Sequence, residues 1–387
     1  MRQEKSKKSS FVSGSYVQQF HGKEYAYQSF LPSPINTPYT TQDKRIPFLL
    51  EEAAHHLAGL DAYADLVPDI EFFISMHVRN EAVKSSSIEG TYTGIDEVVL
   101  EEKEIAPEQR DDWKEVQNYI TAMNYGVAQL PKLPICMRLT CEIHKRLMQG
   151  VRGEHKQPGE IRTQQNWIGG TSIKSASFIP PHPKDLSDTL KDLEEFWNTA
   201  LFTIPNLIKV AMAHYQFEII HPFNDGNGRV GRILIVLQLM HMGVLQKPVL
   251  YLSDFFEKNK GAYYDALTFV REQNDMDQWL LFFLSGITET AKKGKETLKS
   301  MLNLQREYEQ KLLPLGRQAK TAHALLMFAF SKPAFDISTA AKEVRVSTTT
   351  ATKVIERMVK EGMLKETTGF SRNKVFKLHH YIDLFKA

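Results

Sequence analysis

Residues 221–232 read HPFNDGNGRVGR and lie between two stretches whose apolar residues recur at helical spacing. The pattern predicts helices over 204–219 and 228–242, so the run forms a short loop that leads into the second helix. Gly226 and Gly228 allow a ligand to approach the backbone closely and allow positive φ angles. The free N–H groups of a helix N-terminus bind anions together with the helix dipole. The run therefore predicts an anion site between two helices.

The charged residues of this run indicate which anion the loop binds. Arg229 and Arg232 share one face of the first helical turn, where like charge and the positive helix end disfavour them by roughly a few tenths of a kcal/mol. A bound polyanion would make the position of the two arginines favourable, and triphosphate is the obvious candidate for that anion. Asp225 offers a hard oxygen ligand for Mg²⁺, and Asn227 can donate to a phosphate oxygen. An unperturbed histidine changes its charge near neutral pH, so His221 is the candidate general base.

At every defined position the run matches HPFxxGNGRxxR, the signature of Fic proteins, and the chain resembles that family over roughly residues 85–290. The resemblance implies that His221 deprotonates a hydroxyl, which attacks the α-phosphate of ATP and expels pyrophosphate. It implies Asp225 as the Mg²⁺ ligand, with Arg229 and Arg232 on the β- and γ-phosphates. The ATP-binding residues that it implies in this run are Gly226, Asn227, Gly228, Arg229, Val230, Gly231 and Arg232.

The activity implied by the resemblance is that of a protein adenylyltransferase. Such an enzyme transfers AMP from ATP to a Tyr, Thr or Ser hydroxyl of a target protein and of itself, with Mg²⁺. The kinase-like Doc branch of the family lacks the second glycine and the final arginine of the run, which are present here, so phosphate transfer is less favoured. CTP or UTP as donor stays open, because the loop contacts phosphates and not bases.

Residues 85–90 read SSSIEG and resemble the inhibitory motif (S/T)xxxE(G/N) of the same family, with Ser85, Glu89 and Gly90 at the matching positions. The resemblance implies that Glu89 pairs with Arg232 and blocks productive placement of the γ-phosphate. An Arg–carboxylate fork can replace an Arg–phosphate fork, which makes the pairing chemically reasonable. The position before the core marks the second class of Fic proteins. Other interpretations stay open. Glu89 orients water to remove AMP from a target, either in a de-AMPylase or in a bifunctional enzyme, or the protein is a toxin inhibited in cis.

The stretch 161–181, IRTQQNWIGGTSIKSASFIPP, has two glycines between short apolar runs and predicts a β-hairpin. By resemblance, residues 166–181 are the flap of the family. An exposed hairpin edge can bind a target protein by β-augmentation. Ile168 and Phe178 are candidate clamps on that target. The alternative is a hairpin with a structural role only.

The run NKGAYYDAL at 259–267 resembles the helix that closes over the adenine and ribose in this family. Tyr264 is the candidate for that contact. Adjacent tyrosines on a helix also serve simple packing, and both interpretations stay open.

The fold class predicted is mainly α, a Fic helical core with a β-hairpin flap and a small C-terminal winged helix-turn-helix. Residues 1–46 predict an extended arm. The predicted domains are an N-terminal arm and helical region over 1–110, a Fic domain over 111–312 and a winged helix over 316–387. Further helical patterns cover 48–66, 68–86, 110–129, 134–149, 183–200, 255–273, 275–292, 294–312, 317–330, 337–344 and 347–361, with strands at 363–367 and 374–378.

The C-terminal range 316–387 is basic, with 13 Lys and Arg against 6 Asp and Glu. Winged helices bind DNA through such a surface, and they also serve dimerisation or docking. DNA binding, homodimer formation and a nucleotide-sensing DNA-binding regulator therefore stay open. The residues expected to contact DNA are Ser347, Thr348, Thr349, Thr350, Lys353, Arg357, Arg372 and Lys374.

The overall composition is that of an ordinary soluble protein. The chain has 387 residues, of which 42% are hydrophobic and 24% charged, and its net charge is +2. These values exclude global disorder and a polycation. Cys136 and Cys141 lack zinc-finger spacing and predict free thiols. Neither a signal sequence nor a membrane-spanning stretch is recognisable, so the sequence predicts a cytoplasmic protein.

Overall fold

The computed structural model of the chain describes residues 11–151, 154–199, 201–369 and 373–386. These residues form two compact units, each of which is discontinuous along the chain. The first unit combines the described residues up to Ala58 with Asn118–Ala291, and the second combines Gly59–Gln117 with the described residues from Lys292 onward. The three consecutive domains expected from the sequence stay a prediction.

The protein is mainly α-helical, as the sequence predicts. The helices are α1 (Ile46–Asp65), α2 (Ile70–Ile88), α3 (Ile95–Val98), α4 (Arg110–Gln129), α5 (Met137–Leu147), α6 (Leu186–Asn198), α7 (Asn206–Ile220), α8 (Asn227–His241), α9 (Ser253–Lys258), α10 (Lys260–Gln273), α11 (Met276–Leu312), α12 (Ala319–Ser331), α13 (Ile337–Val344), α14 (Thr348–Lys360) and α15 (His379–Asp383). The strands are β1 (Gly14–Gln19), β2 (Tyr27–Pro32), β3 (Ala334–Asp336), β4 (Lys365–Glu366) and β5 (Val375–Lys377).

Two predicted helix boundaries are wrong. The single helix predicted over 255–273 is interrupted at Asn259, where the backbone has φ −112° and ψ 33° and the side-chain amide donates to Phe255 O at 2.9 Å. Conversely, α11 runs without a break through the two predicted helices 275–292 and 294–312. A Cβ at Gly294 would lie 3.3 Å from Leu60 Cδ2, so this glycine permits close helix packing instead of ending a helix.

The N-terminal arm contains an antiparallel hairpin that the sequence analysis did not predict. β1 and β2 pair over their full length. The ring of Phe30 on β2 is buried, and the N–H of Phe30 donates to Ile179 O at 2.9 Å, which ties the hairpin to the 166–181 segment. Farther along the arm, the Asp277 carboxylate accepts the N–H groups of Gln42 and Asp43 at 2.7 Å each. The arm thus packs on other residues of the first unit.

The C-terminal elements follow the order of a winged helix-turn-helix. α12 is followed by β3, α13, α14, β4 and β5, and the three strands form an antiparallel sheet in the order β3-β5-β4. The sequence analysis missed β3, which pairs with β5 along the opposite edge from β4. Asp336 caps α13 by accepting the Thr339 N–H at 2.7 Å, and Ser347 caps α14 by accepting the Thr350 N–H at 3.1 Å.

The surface expected to contact DNA is partly accessible. On α14, Thr348, Thr349, Lys353 and Arg357 are exposed. Arg357 Nη2 lies 2.7 Å from Glu361 Oε1, so part of its charge is balanced within the helix. The expected contact of Arg372 lies outside the described residues. DNA binding stays a prediction.

α7 and α8 are the most buried helices around the HPFNDGNGRVGR run. Both are apolar on nearly all sides, which places a helix in the protein interior. The loop between them is therefore also largely enclosed, and its backbone groups need partners within the protein. In the described ranges, no helix, including these two, has both the length and the apolarity that crossing a membrane requires.

Candidate active site

His221 follows α7 directly and has a left-handed backbone, with φ 50° and ψ 62°. Its N–H donates to Phe217 O at 3.0 Å and so closes the helix. Its Nδ1 lies 3.2 Å from Glu218 O. Because a carbonyl oxygen only accepts, Nδ1 carries the proton of the neutral ring and Nε2 is the basic nitrogen. His221 thus has the tautomer that a base acting through Nε2 needs.

The loop between His221 and α8 is held by a side chain from α8 itself. Asn227 Oδ1 accepts the Phe223 N–H and Asn227 Nδ2 donates to Phe223 O, both at 2.8 Å. The side chain of Asn227 is thus engaged with the loop, and its backbone N–H is the better candidate for a phosphate contact. Gly226 has the expected positive φ, 77°. The positive φ expected for Gly228 is wrong, because this residue lies inside α8 with helical backbone. Its role in ATP binding stays a prediction.

His144 on α5 holds the same loop from outside, and the sequence analysis missed it. Its buried ring stacks on Phe223, with centroids 3.9 Å apart and planes 7° apart. Nδ1 accepts the Gly159 N–H at 2.8 Å and Nε2 lies 3.0 Å from Asp225 O, so a neutral ring with its proton on Nε2 satisfies both contacts. Burial lowers the pKa of His144 to about 4, which keeps the ring neutral near pH 7.

Asp225 presents its carboxylate to solvent just before α8. Its side chain is 47% exposed, and Oδ1 accepts the Gly226 N–H at 2.6 Å. Oδ1 also lies 3.7 Å from Arg229 Nη2. Within the part of the chain that the structure describes, no cluster of three His, Cys, Asp or Glu side chains could hold a metal. A single carboxylate such as that of Asp225 suits Mg²⁺, which in many nucleotide sites takes its other ligands from phosphates and water.

The first two turns of α8 bury both arginines of the run. Arg229 is 5% exposed and Arg232 is 2% exposed. Between them, Val230 is fully buried, and a Cβ on Gly231 would lie 2.3 Å from Glu218 Oε1 on α7. The small residue thus lets α8 pack closely on α7.

The expected flap is less regular than a hairpin. Ile168 and Phe178 form an isolated bridge, in which the Ile168 N–H donates to Phe178 O at 2.8 Å and the Phe178 N–H to Ile168 O at 3.1 Å. Ile168 is 39% exposed, whereas Phe178 is 7% exposed. The Phe178 ring lies between Phe30 and the Arg271 guanidinium, which is 4.4 Å from the ring centroid. Of the two candidate clamps, Ile168 is the accessible one.

The two tyrosines of α10 have different environments. Tyr263 is 1% exposed, and its hydroxyl lies 2.9 Å from His214 Nε2. Tyr264 is 43% exposed. The accessible Tyr264 therefore remains the candidate for a nucleoside contact, and Tyr263 belongs to the core.

The SSSIEG motif at residues 85–90 lies at the end of α2 in the second unit. Ser85 is buried inside the helix, whereas Glu89 is its exposed C-terminal cap residue, with φ −90° and ψ 2°. Gly90 follows with φ 90°, a left-handed conformation that favours glycine. The helix thus ends at the glutamate, and pairing of Glu89 with Arg232 stays a prediction.

Comparison with known families places this chain among the Fic proteins. Residues 48–128 match the family described as Fic/DOC family N-terminal, and residues 134–239 match the Fic/DOC family. The chain is thus a Fic/DOC family protein, distantly related to proteins named protein adenylyltransferase Fic.

Two similar proteins of known sequence come from insects. The protein adenylyltransferase Fic of Drosophila erecta is 29% identical over 239 residues, which cover 57% of this chain and 45% of the relative. That of Aedes aegypti is 33% identical over 165 residues, which cover 42% of this chain and 30% of the relative. The chain spans less than half the length of these relatives.

Solved structures have the same fold at low sequence identity. A Fic family protein from Desulfovibrio desulfuricans has a TM-score of 0.55 at 17% identity and covers 88% of this chain and 98% of its own. Fic-1 from C. elegans has a TM-score of 0.50 at 19% identity and covers 66% of this chain and 73% of its own. The architecture of this chain is therefore the Fic fold.

The buried His214 of α7 should make the stability of the protein depend on pH. Its Nδ1 lies 3.3 Å from Gly231 O and its Nε2 accepts from Tyr263, contacts that suit a neutral ring. Burial, followed by the nearby Arg232 charge, lowers its pKa to about 3. The unfolded chain binds a proton at His214 near pH 6.5, whereas the folded protein does not. The contribution of the neutral ring to the free energy of unfolding is therefore fully present above pH 6.5 and is lost as the pH falls toward 3.

We expect His214 to remove roughly 1 kcal/mol of unfolding free energy for each pH unit below 6.5. The measurement is chemical denaturation of the wild type and of His214→Gln between pH 7.5 and pH 4.5. The stability advantage of the wild type should shrink across this range. An advantage that stays constant with pH would contradict the assignment.

Proposed function

We propose that this protein is an adenylyltransferase that moves AMP from ATP onto a Tyr, Thr or Ser hydroxyl of a target protein and of itself. The observation that carries the proposal is the turn between α7 and α8. Within it, the basic Nε2 of His221 and the N-terminus of α8 lie on one short, rigidly held loop. The names of the insect relatives support the same activity.

The proposed reaction is a single displacement at phosphorus. His221 Nε2 removes the proton of the target hydroxyl, whose oxygen forms a bond to the α-phosphorus. The bond between that phosphorus and the oxygen bridging to the β-phosphate breaks, and pyrophosphate leaves with the electron pair. Positioning and charge neutralisation supply most of the rate enhancement in such reactions.

The α8 N-terminus would hold the phosphates. The N–H groups of its first turn and the positive helix end attract anions. Arg229 and Arg232 add two positive charges in buried positions, where charge pairs are screened less than at the surface. Asp225 would hold Mg²⁺, which neutralises and orients the phosphates when it is bound. The solvent-facing carboxylate at this position fits that role.

We further propose that Glu89 restrains this activity by occupying Arg232, the position that the γ-phosphate needs. The sequence motif at 85–90 and the end of α2 at this glutamate support the proposal. The alternative reaction at this site is the reverse in effect. Glu89 would then orient a water molecule that removes AMP from a modified target.

Labelled ATP distinguishes AMP transfer from phosphate transfer. The protein, and its Glu89→Gly variant, are incubated with Mg²⁺ and ATP that carries the label on either the α- or the γ-phosphorus. AMP transfer attaches the α-label to protein and releases the γ-label as pyrophosphate. Protein that carries the γ-label, or protein that carries neither label in the presence of cell extract, would overturn the proposal.

Ile168 tests whether the flap binds the target. Ile168→Asp places a charge on the accessible bridge residue, and we expect it to lower target modification about tenfold, equivalent to about 1.4 kcal/mol of lost docking energy. ATP affinity should stay unchanged, because the phosphate loop is intact. Leu201→Asp, a substitution at an exposed leucine outside the flap, serves as control. Loss of ATP affinity with normal target modification would argue against docking on the flap.

A further inference from the structure

Arg162 is a buried residue whose donors all point at main-chain carbonyl groups around the catalytic turn. Its side chain is 2% exposed. Nε donates to His221 O at 2.9 Å, and the backbone N–H of Arg162 donates to Pro222 O, also at 2.9 Å. Nη2 lies 3.4 Å from Ile220 O. Three successive carbonyls of the turn that contains the proposed base are thus bound by one residue.

The same guanidinium binds the last residue of the flap segment and a residue just before the segment begins. Nη2 donates to Pro181 O at 2.6 Å, and Nη1 donates to Gln164 O at 3.2 Å. Asn166 reinforces this connection, because its Nδ2 donates to Phe223 O at 3.0 Å. Arg162 therefore joins the base of the flap to the end of α7.

The position is electrostatically suited to a cation even though it is buried. The carbonyl end of α7 carries a partial negative charge, which stabilises a positive group placed there. Burial lowers the pKa of Arg162 to about 10, so the guanidinium stays charged near pH 7. Its planar fork can bind several carbonyls at once, which a lysine ammonium cannot do in the same geometry.

The turn that Arg162 holds is conformationally unfavourable. A left-handed backbone costs a residue with a side chain about 1–2 kcal/mol, and His221 has this conformation. Such conformations persist where the surroundings determine them. The hydrogen bonds from Arg162 to His221 O and Pro222 O act on this turn directly from outside it, and Asn166 Nδ2 adds a longer contact to His221 O at 3.5 Å.

We propose that Arg162 is a positioning residue that sets the place of His221 relative to the flap, and so the place of the base relative to the target hydroxyl. This inference rests on the proposed AMP transfer. Weakening the fork should displace the base without removing the phosphate site, because the fork acts at the end of α7 and at the flap. The carbonyls that Arg162 binds are those of Ile220, His221, Pro222, Gln164 and Pro181.

The test compares Arg162→Lys with a matched loss of another buried cation. Lys209 lies on α7, is 9% exposed and donates to Trp197 O at 3.1 Å, far along the helix from His221. Arg162→Lys should lower the AMP-transfer rate about 10–100-fold, since a small displacement of a reacting group has effects of this size. The affinity for ATP, measured by calorimetry, should remain that of the wild type. Lys209→Met should retain both properties.

A second measurement does not depend on the proposed activity. The ring resonance of His221 is followed by NMR with labelled histidine and is identified by its absence in His221→Asn. Arg162→Lys should change the chemical shift and the titration of this resonance, and Lys209→Met should not. If the wild type transfers no AMP at all, the proposed function fails, while this comparison still decides the role of Arg162.

The inference is overturned by any of three results. They are wild-type transfer by Arg162→Lys, a loss of ATP affinity in the same proportion as the loss of transfer, and a His221 resonance identical to that of the wild type. Unfolding free energies of both variants separate a general loss of stability from displacement of the base.

Discussion

Replacing His221 with alanine should lower AMP transfer by about 10²–10⁴-fold, the range that a positioned general base contributes. The expected loss follows from the position of Nε2, which is the basic nitrogen of the ring because Nδ1 donates to Glu218 O. Nothing in the substitution removes a phosphate contact, so the affinity for ATP should persist. The measurement is the rate of α-label incorporation together with the dissociation constant of ATP.

A second variant separates the loss of the base from a change of the turn. Asparagine tolerates a left-handed backbone better than alanine does, so His221→Asn should keep the loop shape while removing the base. Both variants should be equally inactive. His241→Ala, at the exposed C-terminal end of α8, is the control. Transfer by His221→Asn within about threefold of the wild-type rate would assign the proton to another group.

The second large effect is expected at Glu89, where Glu89→Gly should raise AMP transfer at least about tenfold, or about 1.4 kcal/mol of barrier. The physical reason is competition, because a carboxylate bound to Arg232 excludes a phosphate from the same guanidinium. Local damage should be small, since Glu89 is an exposed cap residue beyond the last turn of α2. Initial rates of α-label incorporation provide the measurement.

Control variants test whether the charge of Glu89 causes the inhibition and whether Glu89 acts in AMP transfer or in AMP removal. Glu89→Gln removes only the charge and should also activate, whereas Glu71→Gln, at an exposed glutamate in the first turn of the same helix, should not. An unchanged or lower rate in Glu89→Gly would remove the inhibition. If the wild type releases AMP from a modified target and Glu89→Gly does not, the glutamate acts in removal of AMP instead.

Sequence patterns predicted those parts of the site that depend on side-chain type. The run 221–232 has its residues in distinctive chemical order, and the helices on either side are apolar enough to be recognised. Their observed bounds, Asn206–Ile220 and Asn227–His241, agree with 204–219 and 228–242 within two residues. The fold class was predicted for the same reason.

The residues that support the loop were not predictable in this way. Arg162 and His144 act on main-chain carbonyl and N–H groups. Every residue carries these groups, so no residue pattern indicates where such a contact forms. A signal existed only in burial, because a charged or polar side chain enclosed next to a helix end needs backbone partners. Whether a side chain is buried in this way depends on segments that are distant in the chain. Their contacts cannot be predicted from the local pattern of a single sequence.

The N-terminal hairpin and the boundaries of α9 to α11 were missed for a related reason. β1 and β2 have mixed polar and aromatic residues, and their pairing gains its stability from Phe30 packing on Phe178 and from the Ile179 carbonyl. The break predicted between the helices 275–292 and 294–312 is absent from α11, because Gly294 serves close packing against Leu60. In both cases a tertiary contact decided the local structure over the local preference.

The order of the two units along the chain has a consequence for protein synthesis. The unit that carries His221 is complete once residue 291 has been made, whereas the unit that carries Glu89 still lacks residues 292–387. A ribosome adds about 5–20 residues per second, so roughly 5–20 seconds separate the two events. Each nascent chain therefore passes through an interval in which the unit with the proposed base has been made and the unit with the proposed inhibitory glutamate has not.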